Sequence, residues 1–421
     1  MVLIEFRVAN HRSIREEQVF TMVAAQLGEE SDHRPRKVSG YGVAILPVAA
    51  IYGANASGKT NVLDALAFTQ LAVVRSHPAW PPEGGVPRSP FAWDDYSNQA
   101  STYELLILLD GIRYQYGFVV SDERVLEEWL YAWPKARRQV WFEREWDGHS
   151  HVFKFGEGLK GSKRLVEDVT RQNALFLSVA AQHANVQLSP IYEWFRDLRT
   201  VGLQRQKDTI LHRSGHGWLI QALLKQATSH KAATEEDREI AIFRSLLHDA
   251  DIGVYDFKLE REQNDEIALC HRAQNGGAWL PLHQESQGTK ALFSKVPMLL
   301  DALWHGGLVL VDELESSLHP ILAQRIVGMF NDPATNSLNA QLIFTTHDTN
   351  LIAGINDPAQ LRRDQVWLTE KNQKGATKLY PLTDFKPRKA ENLERGYLMG
   401  RYGAIPFLGR LDTIQLSGNA K

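Results

Sequence analysis

A single cysteine, Cys270, in 421 residues leaves no partner for an internal disulfide and no cysteine-rich zinc site, and it fits a reducing compartment. The run around it, residues 266–270, has strand character, so the thiol is expected as a small buried side chain. No apolar stretch approaches the roughly 18 residues that cross a bilayer. The chain opens on an alternating, strand-like segment, residues 2–8, where a secretory leader would show a basic and then an apolar block. A cytoplasmic protein without a membrane partner is expected. An excess of either charge is also missing: 47 basic against 50 acidic residues give a net charge of −3. Such a balance supplies no global attraction to nucleic acid, and it leaves DNA open as a partner through a local basic patch. The basic turn His33-Arg34-Pro35-Arg36-Lys37 reads as solvated. No heptad run is long enough for an extended coiled coil. There is no H-E-x-x-H; His212 and His216, four apart, have no third ligand nearby and read as a surface pair.

What the chain does have is core and one dense motif. With 43% hydrophobic residues it can build two or three lobes. Gly53-Ala54-Asn55-Ala56-Ser57-Gly58-Lys59-Thr60 fits G-x-x-x-x-G-K-[ST], preceded by an apolar run at 43–52 and followed by a helix-forming stretch, 61–74, that begins at Asn61. The glycines let successive backbone N–H groups turn inward around phosphates, Lys59 can reach the β and γ phosphates, and the Thr60 hydroxyl can ligate Mg²⁺. The helix beneath adds its positive end. Strand, loop and helix in that order distinguish a phosphate-binding loop from a glycine-rich turn that matches by chance.

Around this motif the chain alternates in character. After strand 2–8 comes a polar bend, Ala9-Asn10-His11-Arg12-Ser13-Ile14, then a short strand at 18–25. Arg12 stands either beside the nucleotide or as a solvated turn residue, and spacing leaves both readings open. Residues 78–90, rich in Pro and Gly, form a loop. Runs at 102–109, 112–120, 126–133, 139–144 and 151–155, with Asp110-Gly111 and Asp147-Gly148 turns, predict an antiparallel meander whose aromatics pack. From 165 to 249 the apolar spacing turns helical, at 173–180, 191–195, 217–224 and 240–247, the last introduced by Thr234-Glu235-Glu236-Asp237. Strands at 252–259 and 266–272 follow.

A second chemical cluster then begins. Glu285-Ser286-Gln287-Gly288-Thr289 precedes a helix at 290–304, which places a hydroxyl and glycine N–H groups at a helix N-terminus. Leu308-Val309-Leu310-Val311 is a buried-strand pattern ending in Asp312-Glu313. An acidic pair there, downstream of a phosphate loop, is a Walker B arrangement: Asp312 holds Mg²⁺ through its water shell and Glu313 polarises the attacking water. Glu315-Ser316-Ser317-Leu318-His319-Pro320 leads into a helix at 321–330, and a β run at 341–346 ends at His347. That histidine either bonds the γ-phosphate and the water or is a satisfied strand-end residue.

Taken together, the loop at Gly53 to Thr60, the Ser286-Gln287-Gly288-Thr289 signature, Asp312-Glu313, the D-loop-like Ser316-Ser317-Leu318-His319 and the switch-like His347 resemble an ABC-type ATPase head. More closely, the chain resembles the RecF, SMC and OLD branch, and within it the stand-alone AAA-type ATPases of prokaryotic anti-phage defence loci, RloA and the PARIS ATPase among them. Phe6-Arg7-Val8-Ala9-Asn10-His11-Arg12-Ser13 and Tyr397-Leu398-Met399-Gly400-Arg401-Tyr402-Gly403-Ala404-Ile405-Pro406 extend that resemblance to both ends. It implies an α/β P-loop NTPase head with an antiparallel β subdomain and an inserted helical lid: an N-terminal ATPase lobe at 1–160, the lid at 161–250 and a C-terminal ATPase lobe at 251–421. It further implies an ATP-dependent homodimer or higher oligomer that sandwiches ATP and Mg²⁺. Ser286, Gln287 and Gly288 of one copy would then face the γ-phosphate held by Lys59 of the other. The signature departs from S-G-G-Q, and Gln99 is the one Q-loop candidate. OLD nucleases append a Toprim domain with a D-x-D pair; the stretch after His347 has none, so a Toprim-type nuclease, if used, is expected on a separate effector chain. The expected role is the sensor or regulatory ATPase of a defence system, with residues 161–250 and 397–406 either docking a partner or packing as core. A RecF-like DNA-repair ATPase and a nucleotide-held scaffold with little turnover are the alternatives.

Overall fold

The computed structural model describes residues 1–28, 31–135, 137–203, 235–249, 253–260, 266–273, 276–316, 318–353, 360–388 and 391–406. His212, His216, the stretch 217–224, Thr234 and Ser317 lie outside the described residues. In chain order the described elements are β1 (Val2–Ala9), β2 (Gln18–Thr21), β3 (Val48–Gly53), α1 (Lys59–Arg75), β4 (Ser101–Leu109), β5 (Ile112–Val120), β6 (Val125–Lys135), β7 (Arg137–Trp146) and β8 (His151–Phe155). Three short helices follow, α2 (Lys163–Val169), α3 (Phe176–Gln182) and α4 (Ser189–Arg196), and lead to β9 (Arg199–Val201). Then come α5 (Glu235–Asp249), β10 (Val254–Glu260), β11 (Glu266–Ala273), β12 (Gly276–Pro281), α6 (Gln287–His305), β13 (Leu308–Val311), α7 (Pro320–Asn331), β14 (Gln341–Thr345), β15 (Val366–Lys371), β16 (Thr377–Pro381) and α8 (Leu393–Leu398).

Three sheets organise these elements. The meander forms a seven-stranded antiparallel sheet in the order β2-β1-β4-β5-β6-β7-β8. Its β4–β5 turn at Asp110-Gly111 has positive φ at both residues (49° and 78°), the mirror-image turn that suits strand twist. The second sheet, β16-β15-β3-β14-β13-β9, is parallel except for the β15–β16 pair. Its inner strands are apolar runs because both faces are covered. Along β3, Ala49 and Ile51 enter one hydrophobic cluster while Val48, Ala50 and Tyr52 enter the other; along β13, Leu308 and Leu310 part from Val309 and Val311 in the same way. The sheet thus separates two cores. A third sheet, β10-β11-β12, packs on α5 and α6 through Phe243, Phe257 and Phe293.

Two findings differ from the sequence reading. Within the stretch expected to be helical, Arg199–Val201 is a strand, paired in parallel with β13 as the sheet edge. Three residues are too few for a period-2 pattern to register. The region 276–281, unassigned from the sequence, is the third strand of the small sheet.

The short helices are fastened to the meander by a buried ionic knot. Glu128 accepts hydrogen bonds from the Phe176 and Leu177 amides (2.6 and 3.0 Å), the first turn of α3, and from the Tyr116 hydroxyl (2.9 Å). Arg144 lies 3.6 Å from Glu128 and donates to the Ala174 and Arg171 carbonyls (2.6 and 3.1 Å). A carboxylate at a helix N-terminus and a guanidinium whose two terminal nitrogens donate to carbonyls offset part of the cost of burying both charges, although Arg144 Nε itself has no hydrogen-bond partner.

Candidate active site

Parallel pairing brings the chemistry together. The order β3, β14, β13 makes the carboxyl ends of three neighbouring strands share one edge, with adjacent strands about 4.8 Å apart. β3 runs into the phosphate loop, β14 into Thr345-Thr346-His347, and β13 into Asp312-Glu313. Residues that are hundreds of positions apart in the chain thereby become neighbours.

Thr60 Oγ1 donates to Asp312, at 3.0 Å from Oδ1 and 3.1 Å from Oδ2. Asp312 Oδ1 also accepts from Thr345 Oγ1 (2.7 Å), which in turn accepts the Glu313 amide (2.7 Å). A relay of Glu313 N–H, Thr345 hydroxyl, Asp312 carboxylate and Thr60 hydroxyl therefore spans the two motifs. The hydroxyl and the carboxylate face each other as a hard-oxygen pair of the kind Mg²⁺ prefers, so the residues fit that ion. Glu313 itself sits at φ 52°, in the left-handed region that a glutamate seldom occupies, which is backbone strain localised at the second residue of the acidic pair. Its side chain is exposed.

Lys59 Nζ donates to the carbonyls of Gly53 and Ala54 (3.0 and 3.1 Å). Burial pushes its pKa down, and Asp312, Glu313 and Glu315 pull it back up. His347 likewise has a lowered pKa, first from burial and then from the Lys59 charge, against the same three carboxylates. A neutral imidazole is therefore held beside the loop. Its amide donates to Glu315 Oε1 (2.7 Å), while the buried Glu315 Oε2 has no hydrogen-bond partner.

The back of the loop is latched by the β15–β16 hairpin. Thr377 Oγ1 donates to the Ser57 carbonyl (2.8 Å), Ser57 Oγ and Thr369 Oγ1 share a hydrogen bond (2.7 Å), and Ser13 Oγ bridges Thr377 Oγ1 (2.7 Å) and Asn61 Nδ2 (2.6 Å). Gly58, at φ 107°, leaves no room for a side chain: a Cβ there would collide with Thr377 Oγ1. Ala54, Asn55 and Ala56 form the open rim of the loop. Arg12 Nε lies 2.7 Å from Asp64 Oδ2 on α1, in a group where His11 bridges Asp64 (2.9 Å) and the Tyr103 hydroxyl (2.8 Å).

Ser286, Gln287 and Gly288 open α6. Ser286 caps the helix, its Oγ accepting the Thr289 amide (3.1 Å), and Ser286 and Gln287 are exposed. Within one chain these residues are not among the partners of Lys59, Thr60 or Asp312. Gln99 uses its backbone: its carbonyl accepts from Asn10 Nδ2 (2.8 Å) and its side chain is exposed.

Five participants escape a motif reading: Thr345, Glu315, Lys295, Thr369 and Thr377. Glu315, a third carboxylate two residues beyond Glu313, and Lys295, a lone cation within the apolar Leu292-Phe293-Ser294-Lys295-Val296, carried a signal. The threonines carried none, because only strand pairing, parallel for Thr345 and Thr369 and antiparallel for Thr377, brings them to the site.

Among the described residues no helix is long and apolar enough to cross a membrane. None of the curated proteins matches the chain. Among solved structures it is similar to the SMC head domain from Thermotoga maritima (14% identity, 90% of this chain and 99% of that one, TM-score 0.39). It is also similar to the Smc head domain of Pyrococcus furiosus with an extended coiled coil, bound to the C-terminal domain of ScpA (12%, 95% and 98%, TM-score 0.45). A third is cbiO1 from Clostridium perfringens, part of the ABC transporter complex cbiONQ (12%, 95% and 96%, TM-score 0.33). A family profile described as "AAA domain, putative AbiEii toxin, Type IV TA system" matches residues 48–353, from the first residue of β3 to just past His347. With well over half of its length matched and an α/β P-loop NTPase fold built around the loop, the chain belongs to this AAA ATPase family.

Proposed function

We propose that the chain hydrolyses ATP with Mg²⁺, in a site completed by a second copy of itself. The observation that carries this reading is the relay from Thr60 through Asp312 and Thr345 to the Glu313 backbone, because binding alone does not need a glutamate held in a strained conformation beside a metal-type oxygen pair. Mg²⁺ held by Thr60 and Asp312 would neutralise the charge shared between the β and γ phosphates. The loop amides and the Lys59 ammonium bind the phosphates and fix their orientation. Glu313 takes the proton of the attacking water, and neutral His347 donates or accepts a hydrogen bond at the γ-phosphate. The dimer is supported by the exposure of Ser286 and Gln287 at a helix N-terminus, an anion-binding arrangement that its own loop does not use.

Hydrolysis is tested by steady-state ATPase measurements on wild type, Glu313→Gln and Lys59→Ala. Glu313→Gln is expected to lower kcat by about 100-fold or more while nucleotide still binds; Lys59→Ala is expected to weaken binding itself. Unchanged turnover in Glu313→Gln would remove the assigned base.

The cellular role we assign is that of sensor or regulatory ATPase in a prokaryotic anti-phage system, acting with a separate effector. Its support is the family description, which names a type IV toxin–antitoxin system, together with the resemblance at residues 397–406. Cells carrying the chain with its neighbouring genes should survive phage challenge better than cells carrying Glu313→Gln; equal survival contradicts the role.

A further inference from the structure

Lys295 is a buried cation, 7% exposed, on the apolar face of α6, and the catalytic scheme above gives it no part. A charge kept inside a core persists only where it is bonded. Its Nζ donates to two carbonyl oxygens, those of Glu313 and Ser316, each at 2.8 Å. Both belong to the turn that follows β13, and the first is the carbonyl of the residue assigned to polarise water.

The Glu313 backbone is thus pinned from two sides. Its N–H rests on Thr345 of β14, and its C=O rests on Lys295 of α6. Between them the residue holds φ 52°, a conformation that a glutamate leaves unless its surroundings over-determine it. The same helix that carries Lys295 begins at the Ser286 cap. Nine residue steps along the helix, all on the N-terminal side of its Pro297, separate the two, a rise of about 13 Å. Anything that shifts or steadies the α6 N-terminus is therefore transmitted to the Glu313 carbonyl by charge-assisted hydrogen bonds.

We infer that Lys295 is a positioning residue: it ties the helix that begins at Ser286 to the Glu313 turn, so that engagement of Ser286, Gln287 and Gly288 by the partner copy's nucleotide sets Glu313 for hydrolysis in its own site. The inference rests on the proposed ATPase reading and adds to it the route by which one site commands the other. Lys295 Nζ bonds backbone carbonyls of the turn, so it acts through Glu313.

The experiment compares wild type, Lys295→Met, Lys295→Arg, Ser286→Ala and the Ser286→Ala/Lys295→Met double variant, measuring kcat and KM for Mg²⁺-ATP and the Kd of a fluorescent ATP analogue. Lys295→Met is expected to lose about tenfold or more in kcat with Kd within about threefold of wild type, and Lys295→Arg, which keeps a charged donor, to recover much of the loss. Because Ser286 and Lys295 act on the same group, the double variant should be no slower than the slower single. Should Lys295→Met not fold, Lys295→Gln, which keeps N–H donors for the two carbonyls, is measured in its place with a smaller loss in kcat expected. Unchanged kcat, a Kd that worsens in step with kcat, or multiplying losses in the double variant overturns the inference. Wild-type protein that hydrolyses no ATP overturns the ATPase reading with it, whereas active wild type with an equally active Lys295→Met overturns this inference alone.

Discussion

Thr345 ends an apolar strand, yet its hydroxyl joins the two halves of the acidic motif. It accepts the Glu313 amide and donates to Asp312, so Thr345→Val keeps the shape and strands both partners. Leaving buried groups unpaired costs about 1–3 kcal/mol, which corresponds to roughly 5- to 150-fold in rate if the loss falls on the transition state. Steady-state kinetics should show kcat falling within that range in Thr345→Val and largely restored in Thr345→Ser; equal kcat values in all three proteins would show that the relay is idle. Gly58 makes the opposite case, where nothing can be added. Gly58→Ala meets both a left-handed φ of 107° and the Thr377 hydroxyl. The backbone strain alone amounts to about 1–3 kcal/mol. Thermal melting and nucleotide titration should register a lower Tm and a Kd raised about tenfold or more. Adding Thr377→Ala relieves the collision with Thr377 and leaves the φ strain and the close Ser13 hydroxyl, so only part of the loss should return.

At the scale of elements, the joint between the meander and the short helices carries a pH dependence. His151 Nε2–H donates to the Val125 carbonyl (2.8 Å), and Arg144 Nη2 lies 3.3 Å from Nδ1, positioned to donate to it. That pattern requires a neutral ring. Burial, with the Arg144 charge second, pulls the His151 pKa down to about 4 from its ordinary 6.5. The unfolded chain therefore takes up a proton below about pH 6.5 that the folded chain refuses until about pH 4. The stabilisation is complete above that window and is lost as pH falls through it. Denaturant midpoints at pH 7 and pH 5 should drop more steeply for wild type than for His151→Gln; parallel drops would contradict the assignment.

The same scale shows what a sequence reading can and cannot reach. The strands β3, β13 and β14 are legible because a strand covered on both faces is largely apolar, and each run is broken off, β3 by the glycine of the phosphate loop, β13 by Asp312 and β14 by Thr345-Thr346-His347. The meander is legible through alternation and its Asp-Gly turns. β9 is not, since three residues at a sheet edge take their conformation from β13, not from their own pattern. Arg12 is a similar case: spacing could not choose between nucleotide and solvent, and its observed partner, Asp64, lies on α1, where no local rule pairs the two. Lys295 is visible in the sequence only as a charge in an apolar run, and its partners lie in a turn 18 to 21 residues on that only folding brings to it.

Across the whole molecule, the parallel sheet separates two cores and presents the phosphate loop, the acidic pair and His347 along a single edge. The Ser286 cap belongs to a helix that reaches the edge from behind through Lys295, while its own exposed end faces outward. In the proposed assembly, two copies related by a two-fold axis would each present the Ser286 cap to the phosphate loop of the other.

The most direct test is the mass of Glu313→Gln in solution, by light scattering after gel filtration, with and without ATP and Mg²⁺. On the proposed reading this variant binds nucleotide and turns it over only slowly, so the account predicts a monomer without nucleotide and a dimer or higher assembly with it, reverting to monomer when Ser286→Ala is added. A mass that is the same in both conditions, whether monomeric or already assembled, would contradict a site completed by a second copy.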